Sequence, residues 1–476
     1  MRSAPQITPD SEAHERITTT HAHVARVENV FLVLAVIFGM LFMFLTPPFQ
    51  VPDEAAHFFR AYQISQGDFL PQKEGELAGG VLPSSLQTVA GRFSHIGVFP
   101  YQVHTSFAEI HEARQVPLRA EGRSFTPFSN TAAYGTPWVY APQAAGIALG
   151  RLLSPSALDL LYFARLGGFL VWLLFGYWAL RLLPVGKWAL MVLLLSPMAL
   201  FLAPSTSADS FVLSLTALVV AVALKLGCEE GRLSARDYGL LIAASAAIVL
   251  AKTPYSLAFL ILLVIPASRF GGRKAYAMFG VLVGMAWLVA TGGWLLAARG
   301  FYVPAQLGVP VSAFQQLEFL RHSPSVFITA TLRMYIAHGR QVLWGFVGLL
   351  GQNDTNLPYW LRLAVMGYLT AGLLTTETIR GRFTAAHRWL AALVPVGIFV
   401  ALHLLLYLSW TPVGAGVLEG MQGRYFVPVA MLLVPWLAMR TRFVLAVRTA
   451  RASLLLVLAQ VAIASSTLVV LVGRYY

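Results

Sequence analysis

The sequence predicts an all-α integral membrane protein with about eleven transmembrane helices. Of its 476 residues, 57% are apolar and only 12% are charged, whereas soluble domains carry about 25% charged residues. Successive apolar runs of roughly 17–25 residues are long enough to cross a bilayer as helices. The strict two-residue alternation of a transmembrane β-barrel does not occur. A bundle of membrane helices is therefore the fold class that these observations favour.

The expected helices follow one another with short connections between most of them. Their boundaries are placed to within several residues, so the count ranges from about ten to about thirteen. The expected spans are 28–45, 160–181, 187–203, 209–226, 238–252, 255–267, 275–297, 361–379, 388–409, 425–439 and 452–472.

Positive charges fall in alternate connections between these spans. Because Lys- and Arg-rich loops remain in the cytoplasm, the alternation predicts a cytoplasmic tail over 1–27 and one membrane domain over 28–476. The first apolar run lacks a convincing cleavage site, so we expect it to be a retained anchor in the plasma membrane. The net charge of +13 is spread over short clusters, which argues against nucleic acid as a partner. The clusters are Arg181 with Lys187, Lys225 with Arg232 and Arg236, Arg269 with Arg273 and Lys274, Arg380 with Arg382 and Arg388, and Arg440 with Arg442, Arg448 and Arg451.

Two long connections, 46–159 and 298–360, then lie on the outer side of the membrane. Each contains an apolar stretch, at 136–153 and at 325–350. Counting the first stretch as a span would invert every later connection, and charged residues make the second a poor span. We therefore expect both stretches to form helices on or dipping into the outer membrane surface.

The stretch PDEAAHFFRAYQ directly follows the first anchor. Pro52 suits the first turn of a helix, which places Asp53 and Glu54 in that turn. Asp53, His57 and Arg60 then share one face by steps of four and three residues. An alternative is that the acids only satisfy the helix N-terminus, with His57 and Arg60 facing lipid headgroups.

Further polar residues stand at the outer ends of later spans. Each has an ordinary explanation of its own, such as a snorkelling lysine or turn formation. Together they place acids and bases on one side of one membrane, where ionisable groups usually face a cavity or a partner. Such a cavity suits a substrate with a phosphate head, bound by Arg and Lys, and a carboxylate there can take a proton from a hydroxyl. The residues are Asp209 in PSTSADS, Lys252 and Tyr255 in AKTPY, Asp354 in GQNDTN, and Gln422 and Arg424 in MQGRYF.

At PPFQVPDEAAHFFRAYQISQG, LSPMALFLAPSTSADS, AKTPY and MQGRYFVP, the chain resembles DUF2142, a family of predicted bacterial membrane proteins. The resemblance covers most of residues 30–440. That family is similar to the GT-C class of membrane glycosyltransferases, which take a sugar from a polyprenyl phosphate carrier on the outer face of the membrane. These enzymes place an acidic pair in a long first outer loop, where Asp53 and Glu54 stand, and a second acid where Asp209 stands.

The resemblance implies a GT-C-like fold and an inverting transfer of sugar to an acceptor hydroxyl. Asp53 would be the general base with Glu54 as its partner, and Lys252 with Arg424 would bind the leaving phosphate. The implied partners are a polyprenyl-phosphate-linked sugar, a glycan or glycolipid acceptor of the cell envelope, and the bilayer. A clamp of cations needs no cofactor, although an acidic cluster can also bind a divalent metal. The substrate-binding residues would be His57, Arg60, Asp209, Lys252, Tyr255, Asp354, Gln422 and Arg424.

Two other functions stay open at this stage. A transporter or flippase of lipid-linked sugars could use the same cations without chemistry, but comparable charges would then be expected at both faces or in mid-membrane. A non-catalytic assembly partner gives no reason for a cluster of acids and bases. The concentration of acidic candidates near one face favours the enzyme.

Overall fold

The computed structural model describes residues 26–98, 103–119, 122–303, 311–379, 381–440 and 450–476. The polar tail predicted over 1–27 lies outside these residues except for its last two. Arg380, Arg442 and Arg448 of the predicted basic clusters also lie outside the described residues.

Helices dominate the described chain, which confirms the predicted all-α membrane class. The first half contains α1 (Val27–Leu45), α2 (Glu54–Ser65), α3 (Ser84–Phe93), α4 (Phe107–Ala113), α5 (Asn130–Ala133), α6 (Ala141–Leu153), α7 (Ala157–Leu182), α8 (Lys187–Leu194), α9 (Pro197–Leu202) and α10 (Asp209–Cys228). The second half contains α11 (Ala235–Val249), α12 (Arg273–Ala298), α13 (Ala313–His322), α14 (Ser325–Val347), α15 (Tyr359–Leu374), α16 (Ala385–Ser409), α17 (Phe426–Met431), α18 (Leu433–Arg440) and α19 (Ala450–Tyr475). Short 3₁₀ helices lie at Pro137–Tyr140, Tyr255–Val264, Ala267–Phe270, Arg299–Phe301 and Gly423–Tyr425.

All eleven positions predicted as spans hold helix, but their lengths differ. Among the described residues, six helices are long and apolar enough to cross a membrane. The other five positions hold shorter or interrupted helices. Proline accounts for two of the interruptions, because it cannot donate the hydrogen bond that continues a helix: Pro197 begins α9, and Pro435 lies in the first turn of α18, just after the break from α17. The six long helices are Val27–Leu45, Ala157–Leu182, Asp209–Cys228, Arg273–Phe301, Ala385–Ser409 and Arg451–Tyr475.

The connections also contain two small sheets that the sequence did not predict. Strands β1 (Gln72–Glu74), β2 (Leu77–Pro83) and β3 (Arg123–Pro127) form an antiparallel sheet in the order β1-β2-β3. Strands β4 (Leu349–Leu350) and β5 (Thr355–Asn356) form a short hairpin between α14 and α15. The turn of this hairpin contacts the chain just before α2.

The apolar stretch at 136–153 forms a 3₁₀ turn followed by α6. With 13 residues, α6 is about 20 Å long, which is too short for a hydrocarbon core of about 30 Å. It packs closely on α7, where a Cβ built on Gly146 would lie 2.1 Å from the carbonyl oxygen of Phe163. The second stretch forms α14. Their predicted placement on the outer membrane surface stays a prediction.

Connections predicted on the same side of the membrane contact one another. We call one end of the bundle the basic face, formed by 183–186, 229–234, 265–272, 375–379 and 381–384. There the Gly186 amide donates to Glu377 at 2.7 Å, and Arg269 pairs with Glu229 at 3.2 Å. The basic face therefore gathers connections that are far apart in sequence.

The opposite end, which we call the loop face, is formed by 46–98, 103–119, 122–156, 203–208, 250–254, 299–303, 311–358 and 410–424. The chain ends there as well. The amide of Thr105 donates to the carbonyl oxygen of Tyr475 at 2.8 Å, and Thr136 donates to the carbonyl oxygen of Leu250 at 2.9 Å.

A buried ion pair holds the start of α2 to the long helix α7. Nε and Nη2 of Arg165 lie 2.9 and 2.7 Å from the two carboxylate oxygens of Glu54, and both side chains are fully buried. The guanidinium also donates to the carbonyl oxygens of Met43, Thr46 and Pro47. All five N–H groups of an arginine are thus used, and α1, the turn after it and α2 are tied to α7.

We expect Arg165→Gln to destabilise the protein strongly, because it leaves the Glu54 carboxylate buried without its cation. Breaking one side of a buried pair costs about 3–5 kcal/mol. The matched control is Arg114→Gln, which breaks the Arg114–Asp159 pair, where Arg114 is 53% exposed. Exposed pairs contribute about 1 kcal/mol or less. Thermal melting in detergent compares the two variants, and an equal loss of melting temperature would contradict the central role of Arg165.

Candidate active site

The turn before α2 holds Asp53 in a left-handed backbone conformation. Its φ is 60°, a region that aspartate and asparagine enter more readily than most residues with a Cβ. We predicted Pro52 and Asp53 inside the first helical turn, but α2 begins at Glu54 and Asp53 immediately precedes it. The Asp53 carboxylate makes no capping hydrogen bond and is 36% exposed. It is therefore not used by the helix end and is open to a ligand.

Hydrogen bonds with two distant segments hold this turn in place. Nε2 of Gln352, in the β4–β5 hairpin, donates to the carbonyl oxygens of Phe49 at 2.8 Å and Val51 at 2.9 Å. Nε2 of Gln50 donates to the carbonyl oxygen of Phe93 at 2.9 Å. The turn that carries the acidic residue is thus held from both long connections of the loop face.

The Gln-Gly-Arg-Tyr segment reaches the same place through a close contact between backbones. A Cβ built on Gly423 would lie 2.0 Å from the carbonyl oxygen of Val342 and 2.1 Å from the amide nitrogen of Phe346, so only glycine fits against α14 here. The contact places Arg424 with its Nη2 atom 3.5 Å from Oδ2 of Asp53. Two residues 371 positions apart in sequence therefore form an ion pair.

A second carboxylate lies between Arg424 and another cation. Asp209 begins α10, and its Oδ2 is 3.8 Å from Nε of Arg424. Its Oδ1 is 3.5 Å from Nζ of Lys252. These separations are longer than the 2.7–2.9 Å of a close charged hydrogen bond. Nε and Nη1 of Arg424 are also buried without a hydrogen-bond partner, so the oxygens of an anionic ligand could satisfy them.

His57 lies one helical turn after Asp53 and is buried beside the same charges. Its Nδ1 is 2.7 Å from the hydroxyl of Tyr140. Burial lowers the pKa of His57 to about 4. The carboxylates of Asp53 and Asp209 raise that pKa, and the cations of Lys252 and Arg424 lower it. Burial has the opposite effect on the Tyr140 hydroxyl, because it raises the pKa of an acid that ionises to an anion. Both groups are therefore neutral at pH 7, and they can orient hydroxyl groups without adding charge.

Tyr255 and Gln422 flank the arginine. The hydroxyl of Tyr255 donates to the carbonyl oxygen of Tyr425 at 2.9 Å, which fixes the backbone next to Arg424. Gln422 and Arg424 line a cavity of 220 Å³ whose wall also includes Pro52. The acidic turn after the first helix and the segment before α17 thus meet at one cavity on the loop face.

Two residues of α2 predicted for the site have other partners. Both carboxylate oxygens of Glu54 are bound by Arg165, so Glu54 anchors the helix and has no free oxygen for a role beside Asp53. Arg60 is buried and donates to Gln63 at 2.6 Å and to the carbonyl oxygen of Phe69 at 2.7 Å. We therefore leave both out of the candidate site.

Asp354 also lies in a different cluster. Its Oδ2 is 2.7 Å from Nη2 of Arg474, and its Oδ1 accepts a hydrogen bond from the hydroxyl of Tyr475 at 3.1 Å. This contact joins the β4–β5 hairpin to the end of α19. Asp354 therefore supports the hairpin that holds the Asp53 turn, and it is not among the residues around Arg424.

The sequence analysis did not single out Arg165 or Tyr140. Arg165 had a usable signal, since a charged residue inside an expected span must find a partner within the bundle. Tyr140 had none, because an aromatic residue in an apolar stretch is usually a packing residue. The Tyr140 hydroxyl becomes relevant only through its distance to His57.

The two acids at the centre of the site each stand beside a cation. Asp53 neighbours Arg424, and Asp209 neighbours both Arg424 and Lys252. Over the described part of the chain, no three or more His, Cys, Asp or Glu side chains form a group that could hold a metal ion.

The fold and the matched family define a helical membrane protein. Residues 36–433 match the family model described as predicted membrane protein DUF2142. The match covers most of the chain, so this protein belongs to the DUF2142 family, as its motifs indicated. A search among curated proteins found no match.

The fold is also similar to that of ArnT from Cupriavidus metallidurans, known from a crystal structure in the apo state. The TM-score is 0.41 and the sequence identity is 15%. The match covers 86% of this chain and 58% of the ArnT chain.

We expect His57 to make the protein less stable in acid. The unfolded chain binds a proton on this residue below about pH 6.5, whereas the folded protein does so only near pH 4. The stability contributed by neutral His57 is therefore complete above pH 6.5 and is lost as the pH falls towards 4, by up to about 3 kcal/mol. Thermal melting from pH 7.5 to pH 4.5 measures this loss.

His57→Gln keeps a side chain that can hydrogen-bond to Tyr140 but does not titrate. Its melting temperature should fall less between the two pH values than that of the original protein. His95→Gln, at an exposed position, serves as the control and should behave like the original. If the melting temperatures of His57→Gln and of the original protein fell in parallel with pH, His57 would not be the source of the acid sensitivity.

Proposed function

We propose that this protein is a GT-C-type glycosyltransferase that moves a sugar from a polyprenyl phosphate carrier to an acceptor hydroxyl, with inversion at the sugar carbon. The observation that carries the proposal is the approach of Asp53 and Arg424 to 3.5 Å beside a cavity on the loop face. A carboxylate can accept a proton, and a guanidinium can bind a phosphate. The two groups needed for this reaction are thus within reach of one substrate.

Arg424 and Lys252 are the groups that would hold the phosphate of the donor. Both stand within 4.0 Å of the same carboxylate, that of Asp209. Asp209 therefore keeps two cations close together that would otherwise repel each other. The unpartnered N–H groups of Arg424 give a phosphate oxygen a place to bind, and this supports a role for Asp209 in positioning the clamp.

The exposed carboxylate of Asp53 would act as the general base. It takes the proton of the acceptor hydroxyl while the acceptor oxygen forms a bond to the anomeric carbon of the sugar. The bond between that carbon and the phosphate oxygen breaks, and its electron pair stays on the phosphate. One displacement of this kind inverts the configuration at the anomeric carbon.

The charges on Asp53 and on the phosphate would both change during this step. The donor carries a phosphodiester with one negative charge, and the released polyprenyl phosphate carries two. As Asp53 becomes neutral by taking the proton, Arg424 loses one anionic neighbour and the phosphate beside it gains a charge. The guanidinium can thus interact more strongly with the leaving group in the transition state than in the ground state, which is the condition for catalysis.

The position of the site in the membrane protein fits a lipid-linked donor. The site lies on the loop face, and the connections rich in Lys and Arg lie on the basic face at the other end of the bundle. Because basic connections remain in the cytoplasm, we assign the loop face to the outer side of the plasma membrane. The acceptor would then be a glycan or glycolipid of the cell envelope, as the family resemblance implies.

We expect Asp53→Asn to lower sugar transfer by about 10²- to 10⁴-fold, the usual contribution of a general base. Asparagine tolerates the left-handed conformation of this position, so the fold is retained. Because the acceptor is not identified, the assay measures release of radiolabelled sugar from a panel of polyprenyl-phosphate-linked sugars in nanodiscs, with water in place of the acceptor. It is run with and without a metal chelator.

The matched control is Asp68→Asn, the same change at an exposed acid just after α2, which should keep full activity. Binding of polyprenyl phosphate should survive in both variants. Full activity of Asp53→Asn would rule out the general base. Movement of the donor across the membrane of proteoliposomes without release of sugar would instead identify a transporter.

A further inference from the structure

The cavity next to Arg424 has few polar side chains in its wall, and most of these are of one chemical type. Besides Arg424, the polar side chains in its wall are the primary amides of Gln341, Asn353 and Gln422. A primary amide offers both donors and acceptors, as a sugar hydroxyl group does. Three amides around one small cavity therefore match a ligand that carries several neighbouring hydroxyl groups.

The two ends of this cavity differ in exposure. Gln341 and Asn353 are exposed and stand at its mouth. At its inner end Arg424 is only 6% exposed, its Nε and Nη1 atoms have no hydrogen-bond partner, and the Oε1 atom of Gln422 is buried without a partner. Because buried polar atoms are almost always hydrogen-bonded, these free donors and this free acceptor indicate that a polar ligand completes the inner end.

The size of the cavity limits that ligand. Its volume of 220 Å³ is below the roughly 300–1,000 Å³ of pockets for drug-sized molecules. This cavity volume equals the liquid volume of about seven water molecules. A cavity of this volume takes a single sugar ring, and a second ring would lie outside it, beyond Gln341 and Asn353 at the mouth.

The charge of the cavity limits the ligand further. Its wall contains one cation, Arg424, and no carboxylate. A sugar with a protonated amino group would need a carboxylate as its partner, and the nearest ones, Asp53 and Asp209, already pair with Arg424. An uncharged sugar needs no such partner and can use the amides, while the phosphate uses the arginine N–H groups.

We infer that this cavity is the sugar subsite of the donor and that it takes one uncharged monosaccharide unit, with Gln422 as a specificity-determining residue. The inference rests on the proposed function, because it makes the cavity the continuation of the phosphate clamp. Asp53 then lies where the sugar in the cavity joins the phosphate at Arg424. The donor class becomes a polyprenyl phosphate that carries a single neutral hexose.

The test compares the binding of four lipids to the protein in nanodiscs, measured by native mass spectrometry. The lipids are polyprenyl phosphate alone and the same lipid carrying one hexose, two hexoses or one hexose with a free amino group. We expect the single hexose to bind about tenfold more tightly than the bare lipid. The two-hexose lipid should bind no more tightly than the single-hexose lipid, and the amino-hexose lipid should gain no such affinity.

Gln422→Leu should remove most of the gain from the hexose and leave the affinity for bare polyprenyl phosphate unchanged. Gln315→Leu makes the same change at an exposed position of α13 and should behave like the original protein.

The possible failures separate the two proposals. If bare polyprenyl phosphate binds but the hexose adds no affinity, or if Gln422→Leu weakens both lipids equally, the sugar subsite is wrong and the proposed function stands. Tighter binding of the two-hexose lipid than of the single-hexose lipid would overturn the limit on size, and equal affinity for the amino-hexose lipid would overturn the limit on charge. If no polyprenyl phosphate binds at all, the proposed function fails and the subsite fails with it.

Discussion

The ion pair between Glu54 and Arg165 is the interaction on which the position of the candidate site depends. It is fully buried, and its arginine also holds the carbonyl groups at the end of α1. An unpaired charge at this depth would cost several kcal/mol, so the chain must bring the start of α2 onto α7. Asp53, the preceding residue, is then confined between this anchor and the turn held by Gln352. Its left-handed conformation follows from constraints on both sides.

The two acids of the site differ in exposure, and this difference separates their roles in the proposed reaction. Asp53 is 36% exposed and Asp209 is 12% exposed. The more exposed acid can meet an incoming hydroxyl, while the less exposed one stays between Arg424 and Lys252. With His57 neutral, two acids and two cations give this cluster no net charge. Under the proposed function, a donor phosphate would meet cations that lie 3.5 Å or more from their carboxylates.

Much of the fold follows from the sequence, since apolar runs and basic connections depend only on local composition. The meeting of the Asp53 turn with the Arg424 segment was predicted because both were expected at the same end of their spans. The sequence did not predict which of Asp53 and Glu54 faces the candidate site, because consecutive residues of a helix point about 100° apart. Which of them turns inward depends on Arg165, 111 residues away. The partners of Asp354 could not be predicted for the same reason, because they come from the C-terminal helix.

The most direct test of this account is a cryo-EM map of the protein with bound polyprenyl phosphate. The account predicts phosphate density between Arg424 and Lys252, at hydrogen-bonding distance from the Arg424 N–H groups that lack a partner. The lipid chain should leave the site towards the bilayer at the loop face. A phosphate bound at the basic face, with the cluster of Asp53, Asp209, Lys252 and Arg424 unoccupied, would contradict it.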